Sequence, residues 1–296
     1  MHPAKFKGSN AVNFLQILIL GIVQGAAELL PVSSSAHVIV AEKLMGLDPS
    51  SPEMTFLIVM LHTGTMFAVI AYFWNVWCQN YFSSFAKFKD VLVKVMIATA
   101  ITGIVGLALQ FLIEKFFLKG SDKAEVEQLF SRLPLIGSAL LAAGILIFYA
   151  GVHEGKSWSN KDVQTGGAFW IGAIQGLCLP FRGFSRSGAT ISTGLLLGIG
   201  KPQMEAFSFA LAVVLTPVVI AKELLRLLKA HSEVIQGPSL LHLVGPGLLG
   251  MVCSFGAGLV ALWLLSRLLE GGRWRFFGVY CFVFALIVFG LAVAGF

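Results

Sequence analysis

The sequence contains GIVQG at residues 21–25 followed by SSSAH at 33–37, and a second copy, GAIQG at 172–176 followed by SRSGAT at 185–190. The two copies lie about half a chain length apart in a chain of 296 residues. In each copy the polar residues follow an apolar run that is interrupted before it is long enough to cross a membrane. The chain is therefore predicted to contain two related halves, roughly residues 11–152 and 167–295.

The amino-acid composition places this chain in a membrane. Apolar residues make up 57% of it and charged residues only 12%, whereas an ordinary soluble domain is about 25% charged. A single globular core of this length could not bury so much apolar surface, so soluble, disordered, collagen-like and disulfide-stapled classes are excluded. The net charge of +6 comes from basic residues that mostly flank apolar runs, which favours membrane anchoring over nucleic-acid binding. Residues 1–296 are predicted to form one membrane domain.

The apolar runs fall into long and short classes. Three runs, at 36–46, 167–180 and 188–199, are too short to cross the hydrocarbon core, which requires about 20 residues. Six runs have the length and composition of complete spans, and they lie at 55–74, 91–113, 133–152, 205–228, 241–265 and 277–295. Each half is thus predicted to hold one broken helix pair followed by three complete spans.

This order predicts an inverted repeat. If each broken pair enters the membrane and returns to the same side, three further spans place the second half on the opposite side from the first. Non-helical backbone at membrane depth is tolerated only where it is buried in protein or lines a cavity. The predicted fold is an all-α integral membrane protein with six transmembrane helices plus two re-entrant helix-loop-helix segments, whose tips meet at a polar site.

The first tip carries residues that are costly in lipid. Glu28 lies four residues after Gln24, so both project from one face of the same apolar helix. A carboxylate there is expected to face a cavity, a partner or a metal ion, or else to make a structural hydrogen bond. Pro31 stops the helix, and Ser33, Ser34 and Ser35 are natural N-caps for a helix that begins near Ala36. Free amides and hydroxyls at a helix N-terminus favour an anion, and His37 is expected one turn along on a similar face.

The second tip places Arg182 and Arg186 between apolar helices, beside the hydroxyls of Ser185, Ser187 and Thr190. Guanidinium groups bind phosphate oxygens in a bidentate manner, and residues 163–204 contain no acidic residue to neutralise them. The counter-ion must therefore come from the other half or from a ligand. One alternative is a structural Arg186–Glu28 ion pair without chemistry, and Arg182 alone could instead snorkel or hold a carbonyl. His62 lies inside a full span, where it either lines a cavity at the polar site or packs against neighbouring side chains.

QGAAELLPVSSSAH at 24–37 together with GFSRSGAT at 183–190 resembles the bacterial undecaprenyl-pyrophosphate phosphatase family, also called the bacitracin-resistance family. The resemblance covers nearly the whole chain. It implies removal of the terminal phosphate of undecaprenyl pyrophosphate, dependence on a divalent cation, and roles for Gln24, Glu28, Ser33, Ser34, His37, Ser185, Arg186, Ser187 and Thr190. Two positions depart from the family pattern: Gln24 stands where glutamate is common, and Arg182 stands where many relatives have proline.

The hydrolysis of a phosphoanhydride needs positive charge on the phosphate oxygens, an oriented nucleophile and a base. The catalytic residues are predicted to be Glu28, Ser34, His37 and Arg186. Glu28 and Gln24 are the predicted ligands of Mg²⁺ or Ca²⁺, which prefer oxygen. The nucleophile is Ser34 with His37 as base, His37 itself, or water. The phosphate-binding residues are predicted to be Ser33, Ser35, Arg182, Ser185, Ser187 and Thr190.

A rival interpretation is a secondary transporter or flippase for an anionic lipid, because such proteins also use inverted repeats and broken helices. Basic residues are nearly balanced between the two sides, so charge does not orient the chain. The resemblance implies the bacterial cytoplasmic membrane, with the site opening to the outer face. Undecaprenyl pyrophosphate and membrane lipid are the expected partners, and the oligomeric state stays open, with a homodimer as one option.

Overall fold

The computed structural model describes residues 12–49, 51–117, 132–153, 161–230 and 239–296, and these ranges contain helices and no strand. The helices in these ranges are α1 Phe14–Leu29, α2 Ser34–Leu44, α3 Pro52–Asn80, α4 Phe85–Phe117, α5 Leu133–His153, α6 Thr165–Cys178, α7 Arg186–Leu196, α8 Lys201–Ala230, α9 Ser239–Glu270 and α10 Arg275–Val293.

Six of these helices, α3, α4, α5, α8, α9 and α10, are long and apolar enough to cross a membrane. The shortest, α10, has 19 residues, which at 1.5 Å per residue reaches about 28 Å. Five of them contain a predicted long run completely, and α10 covers residues 277–293 of the sixth, so the prediction of an all-helical membrane protein with six long apolar helices is confirmed.

The other four helices have 11 to 16 residues each and form two broken pairs, α1 with α2 and α6 with α7. A capping box between Asn13 and Gln16 starts α1. The helix ends at Leu29, because Leu30 precedes Pro31 and takes the extended conformation that proline imposes on its neighbour.

The start of α2 differs from the prediction. The helix begins at Ser34 instead of near Ala36, and its N-cap residue, Ser33, has φ 69° and makes no side-chain capping bond. The reason is that the Ser33 hydroxyl pairs with the hydroxyl of Ser35 at 3.2 Å. At the other tip, the Ser185 hydroxyl does cap its helix, accepting a hydrogen bond from the Gly188 amide at 3.2 Å.

The repeated glycines lie where helices pack closely. In α1, a Cβ added to Gly25 would lie 2.5 Å from the Ser254 carbonyl oxygen of α9. In α6, a Cβ added to Gly172 would overlap the backbone of Ala98 in α4, and one at Gly176 would lie 2.9 Å from the Thr102 carbonyl oxygen. Small residues four apart are typical of closely packed membrane helices. The shared GxxxG pattern therefore positions each broken helix against a long helix of the other half.

The two tips touch each other. The Gly183 amide donates to the Ser35 hydroxyl at 3.2 Å, and the Ser187 hydroxyl donates to the Leu30 carbonyl at 3.3 Å. Gly183 has φ 103°, and a Cβ there would lie 2.5 Å from the Ile136 carbonyl oxygen of α5. Only glycine fits both the backbone conformation and the space at this position.

We expect Gly25→Ala to destabilise the protein, because the added methyl group must push α1 away from the α9 backbone. Overpacking of this kind costs about 1–3 kcal/mol, which is measurable as a lower melting temperature of the purified protein in detergent. Gly103→Ala in α4 is the matched control, since its added Cβ meets nothing within 4 Å. Equal melting temperatures for the two variants would show that the crossing is not close-packed.

Candidate active site

A cavity of about 290 Å³ lies between the two tips, and α3 and α8 contribute to its walls. Eight of the predicted site residues line it: Glu28, Ser33, Ser34, Ser35, Arg182, Ser185, Arg186 and Ser187. The prediction that the two polar tips meet at one site thus agrees with their placement in space.

Glu28 is the centre of the hydrogen bonding in this cavity. The Arg186 Nη2 donates to its Oε1 at 3.1 Å, and the two side chains are only about one-fifth exposed. The Ser34 hydroxyl donates to its Oε2 at 2.5 Å, and the Gln24 amide donates to the same oxygen at 3.3 Å. Of the two sources that the sequence left open for the counter-ion of Arg186, the other half of the chain or a ligand, the structure shows the first.

One guanidinium nitrogen of Arg186 makes no hydrogen bond. Its Nη1 is buried and has no hydrogen-bond partner. A buried donor left unpaired costs free energy, so a site with such a donor favours a ligand that accepts from it. Because Arg186 lines the cavity and Glu28 holds its Nη2, its guanidinium is a candidate group for binding an anion there.

His62 is brought to the site from the middle of α3. It lines the cavity, and its Nδ1 lies 3.1 Å from the Gln24 Nε2. The sequence left cavity and packing roles equally open for this histidine. The signal in favour of the cavity was the polar cluster His62-Thr63 followed by Gly64 within an apolar helix, where a polar residue needs a partner.

His37 does not lie beside the Ser34 hydroxyl, as the expected similar face would require. Its Nδ1 lies 2.8 Å from the Ser33 carbonyl oxygen, and its Nε2 lies 2.8 Å from the Tyr280 hydroxyl. The ring stacks on Phe284 at 3.8 Å between centroids, so it faces α10 and is not among the cavity-lining residues. The two hydrogen bonds and the stacking on Phe284 hold the ring on the side of α2 that faces α10.

Thr190 also lies away from the cavity lining. It is fully buried, its hydroxyl donates to the Arg186 carbonyl at 2.9 Å, and it lies 2.6 Å from the Ser208 hydroxyl of α8. Its contacts hold the first turn of α7, which carries Arg186, against α8. This geometry makes Thr190 a positioning residue for the tip, where the sequence had suggested a phosphate contact.

The described part of the chain contains no cluster of three His, Cys, Asp or Glu side chains that could hold a metal ion by itself. Among the described residues that line the cavity, Glu28 is the one carboxylate. Mg²⁺ is commonly bound through one or two carboxylates together with substrate phosphates and water. The Glu28 carboxylate could supply an oxygen to a divalent cation that is bound jointly with a phosphorylated ligand, whereas the Gln24 amide directs its nitrogen at that carboxylate, so Gln24 would have to present its oxygen instead.

We expect Thr190→Val to lower the stability of the protein, because it removes a buried hydroxyl and leaves the Ser208 hydroxyl without that partner. The loss should be about 1–3 kcal/mol and is measured by thermal unfolding in detergent. Thr190→Ser keeps the hydroxyl and is expected to retain more of the stability. A Thr190→Val variant as stable as the wild type would argue against this bond.

Comparisons with known proteins identify the relatives of this chain. Residues 17–287 match the family model described as "Bacitracin resistance protein BacA". The chain is 56% identical over 287 residues to the "Undecaprenyl-diphosphatase 2" of Acinetobacter baylyi, which covers 96% of this chain and 100% of that protein. It is 32% identical to the "Undecaprenyl-diphosphatase" of Desulfosudis oleivorans, and the match covers 91% of this chain and 95% of that protein. It is 33% identical to the "Undecaprenyl-diphosphatase" of Parabacteroides distasonis, and the match covers 93% of this chain and 97% of that protein. The chain, with its cavity between the two tips, therefore belongs to the bacitracin resistance protein BacA family.

Proposed function

We propose that this chain is a membrane phosphatase that hydrolyses the terminal phosphate of undecaprenyl pyrophosphate. The products are undecaprenyl phosphate and phosphate, so the reaction recycles the lipid carrier of cell-wall synthesis and gives resistance to bacitracin. The observation that carries the proposal is the cavity in which Arg182 and Arg186 lie beside the Glu28 carboxylate and five serine residues. The names of the relatives support the same reaction, and they favour hydrolysis over a transporter or flippase.

The phosphate groups of the substrate bind between the tips. Arg186 donates from its free Nη1, and Arg182 adds a second guanidinium at the cavity wall. The hydroxyls of Ser33, Ser35, Ser185 and Ser187 are the remaining donors within this lining. Charge-assisted hydrogen bonds to phosphate in a water-poor site are strong, and they strengthen as charge develops in the transition state.

Ser34 is the proposed nucleophile. Its hydroxyl already donates to the Glu28 carboxylate, which is placed to accept the proton. A bond forms between the Ser34 Oγ and the terminal phosphorus while the bridging phosphorus–oxygen bond breaks, and undecaprenyl phosphate leaves. Water then hydrolyses the phosphoserine and releases phosphate. His37 as base or nucleophile, and direct attack by water, are the competing routes; His37 would need to leave its contacts with Ser33 and Tyr280.

A divalent cation, Mg²⁺ or Ca²⁺, is the proposed cofactor, held by Glu28 and Gln24 together with phosphate oxygens of the substrate. When bound, such an ion neutralises negative charge on the diphosphate. The Arg186 contact keeps Glu28 within the cavity, so the carboxylate is positioned before the substrate arrives.

The membrane topology is proposed to be an inverted repeat with two re-entrant pairs, α1–α2 and α6–α7. Two features support it. Each helix of these pairs has at most 16 residues, fewer than the about 20 that a span requires. The first helix of each pair also packs through its GxxxG glycines on a long helix of the other half. We assign the chain to the bacterial cytoplasmic membrane, with the cavity opening to the outer face. The orientation rests on the family resemblance.

We expect Arg186→Ala and Glu28→Ala each to reduce phosphate release from undecaprenyl pyrophosphate by about a thousandfold or more, as losses of transition-state charge contacts do. The assay is phosphate release by the purified chain in detergent. Arg273→Ala is the matched control, because Arg273 is exposed and does not line the cavity.

Size-exclusion chromatography and circular dichroism verify that the variants fold. Folded variants with near wild-type turnover would refute the assignment of the site. A chelator is expected to abolish activity, and added Mg²⁺ or Ca²⁺ to restore it. Mass spectrometry of quenched reactions separates the routes, since Ser34 attack leaves phosphoserine, His37 attack leaves phosphohistidine, and water leaves neither.

The topology is tested by labelling single cysteines in a background without Cys78, Cys178, Cys253 and Cys281. We expect Phe14→Cys and Leu44→Cys, at the two ends of the first pair, to react from the same side of the membrane. Phe169→Cys and Leu197→Cys of the second pair are expected to react from the opposite side. All four side chains are more than 40% exposed on the protein surface.

The two ends of α4 provide the reference for this experiment, because α4 crosses the membrane completely. Phe116→Cys should label with the first pair, and Phe85→Cys with the second. In intact cells, an impermeant reagent is expected to reach Thr216→Cys in the cavity wall. Labelling of Phe14→Cys and Leu44→Cys from different sides of the membrane would contradict the re-entrant pair. Protection of Thr216→Cys in intact cells but not in lysed cells would contradict the opening of the cavity to the outer face.

A further inference from the structure

A second cavity, of about 260 Å³, lies where α3 ends and where α4 and α8 begin. It shares no lining residue with the cavity between the tips. The ends of membrane-spanning helices lie at the boundary between hydrocarbon and lipid headgroups. This second cavity is therefore at the depth where headgroups are found.

Its walls carry charges of both signs. Lys87, Asp90 and Lys94 come from the start of α4, and Asp162 comes from the segment before α6. Lys94 is 9% exposed, and its Nζ donates to the Asp90 Oδ2 at 2.5 Å. An ammonium group has three donors, so this pairing leaves Lys94 with further hydrogen-bonding capacity. Two lysines and two aspartates give the lining no net charge.

The same cavity contains a buried acceptor. Gln203, in the first turn of α8, has a buried side-chain oxygen without a hydrogen-bond partner. Tyr81 also lines the cavity, and burial, together with the negative charge of Asp162, raises the pKa of its phenol above the ordinary value. The phenol is thus a neutral hydroxyl at physiological pH. A ligand that donates hydrogen bonds would satisfy the Gln203 oxygen, as buried acceptors require.

The remainder of the lining is apolar. Val76 of α3, Val91 of α4 and Phe207 of α8 lie along helices that continue into the membrane. A ligand with a polar head at the helix ends and an apolar body beside these helices would match both parts of the lining.

We propose that this second cavity binds the phosphoethanolamine headgroup of a membrane phospholipid. The phosphate binds to Lys87 and Lys94, and the ammonium group donates to Asp162 and to the Gln203 oxygen. A purely anionic headgroup would meet Asp90 and Asp162 without a compensating cation. A choline headgroup has the same charges but no N–H donor, so the Gln203 oxygen would stay unpaired.

Native mass spectrometry of the full chain, released from nanodiscs with equal amounts of phosphatidylethanolamine, phosphatidylcholine and phosphatidylglycerol of identical acyl chains, tests this proposal. We expect phosphatidylethanolamine to be retained about tenfold over either competitor, the effect of one charge-assisted hydrogen bond. Asp162→Asn should abolish that preference, whereas Lys87→Ala should lower the retention of all three lipids, because each carries the phosphate that Lys87 binds. Lys89→Ala is the matched control, because Lys89 is exposed on α4 and does not line the cavity.

Phosphate release is measured in parallel, since neither Lys87 nor Asp162 lies in the proposed active site, and wild-type activity confirms that these variants are folded. Gln203→Leu gives a second measure: it should bring phosphatidylethanolamine and phosphatidylcholine to equal retention. Equal retention of all three lipids by the wild type would overturn the proposal. A preference for phosphatidylglycerol that Lys87→Ala removes and Asp162→Asn leaves unchanged would overturn it as well, in favour of an anionic lipid.

Discussion

The ion pair between Arg186 and Glu28 is the contact on which the arrangement of this protein depends. It joins two residues that are 158 positions apart, and both side chains are mostly shielded from water. Removing two charges from water is costly, and their attraction compensates only when the geometry is good and further hydrogen bonds are made. Ser34 and Gln24 supply such bonds to the carboxylate, while one arm of the guanidinium stays unpaired.

The packing of the broken helices makes this pair possible. Gly25 brings α1 against the backbone of α9, and Gly172 does the same for α6 and α4. The two tips then meet, and the Gly183 amide donates to the Ser35 hydroxyl. Side chains larger than hydrogen at these glycines would separate the helices, and Arg186 would lose contact with Glu28. Backbone packing therefore decides whether the charges can meet.

Much of this arrangement could be predicted from the sequence, because it depends on local properties. The length and apolarity of a run decide whether it can cross a membrane, so the six long helices were predictable. The absence of acidic residues in 163–204 required a distant partner for Arg186. The start of α2 was predicted two residues too late, because the Ser33 hydroxyl bonds to Ser35 and does not cap the helix.

The sequence by itself determined the membrane class, the division into long and broken helices, and the residues whose burial in lipid demands a partner. Only the tertiary structure decided which partner each one has. His62 reaches Gln24 from the middle of α3, whereas His37 turns away to Tyr280, and Thr190 holds Ser208. The physical reason is that helical periodicity specifies which residues share a face, but not which other helix that face meets. That choice follows from close contacts between elements far apart in the chain, such as the glycine crossings.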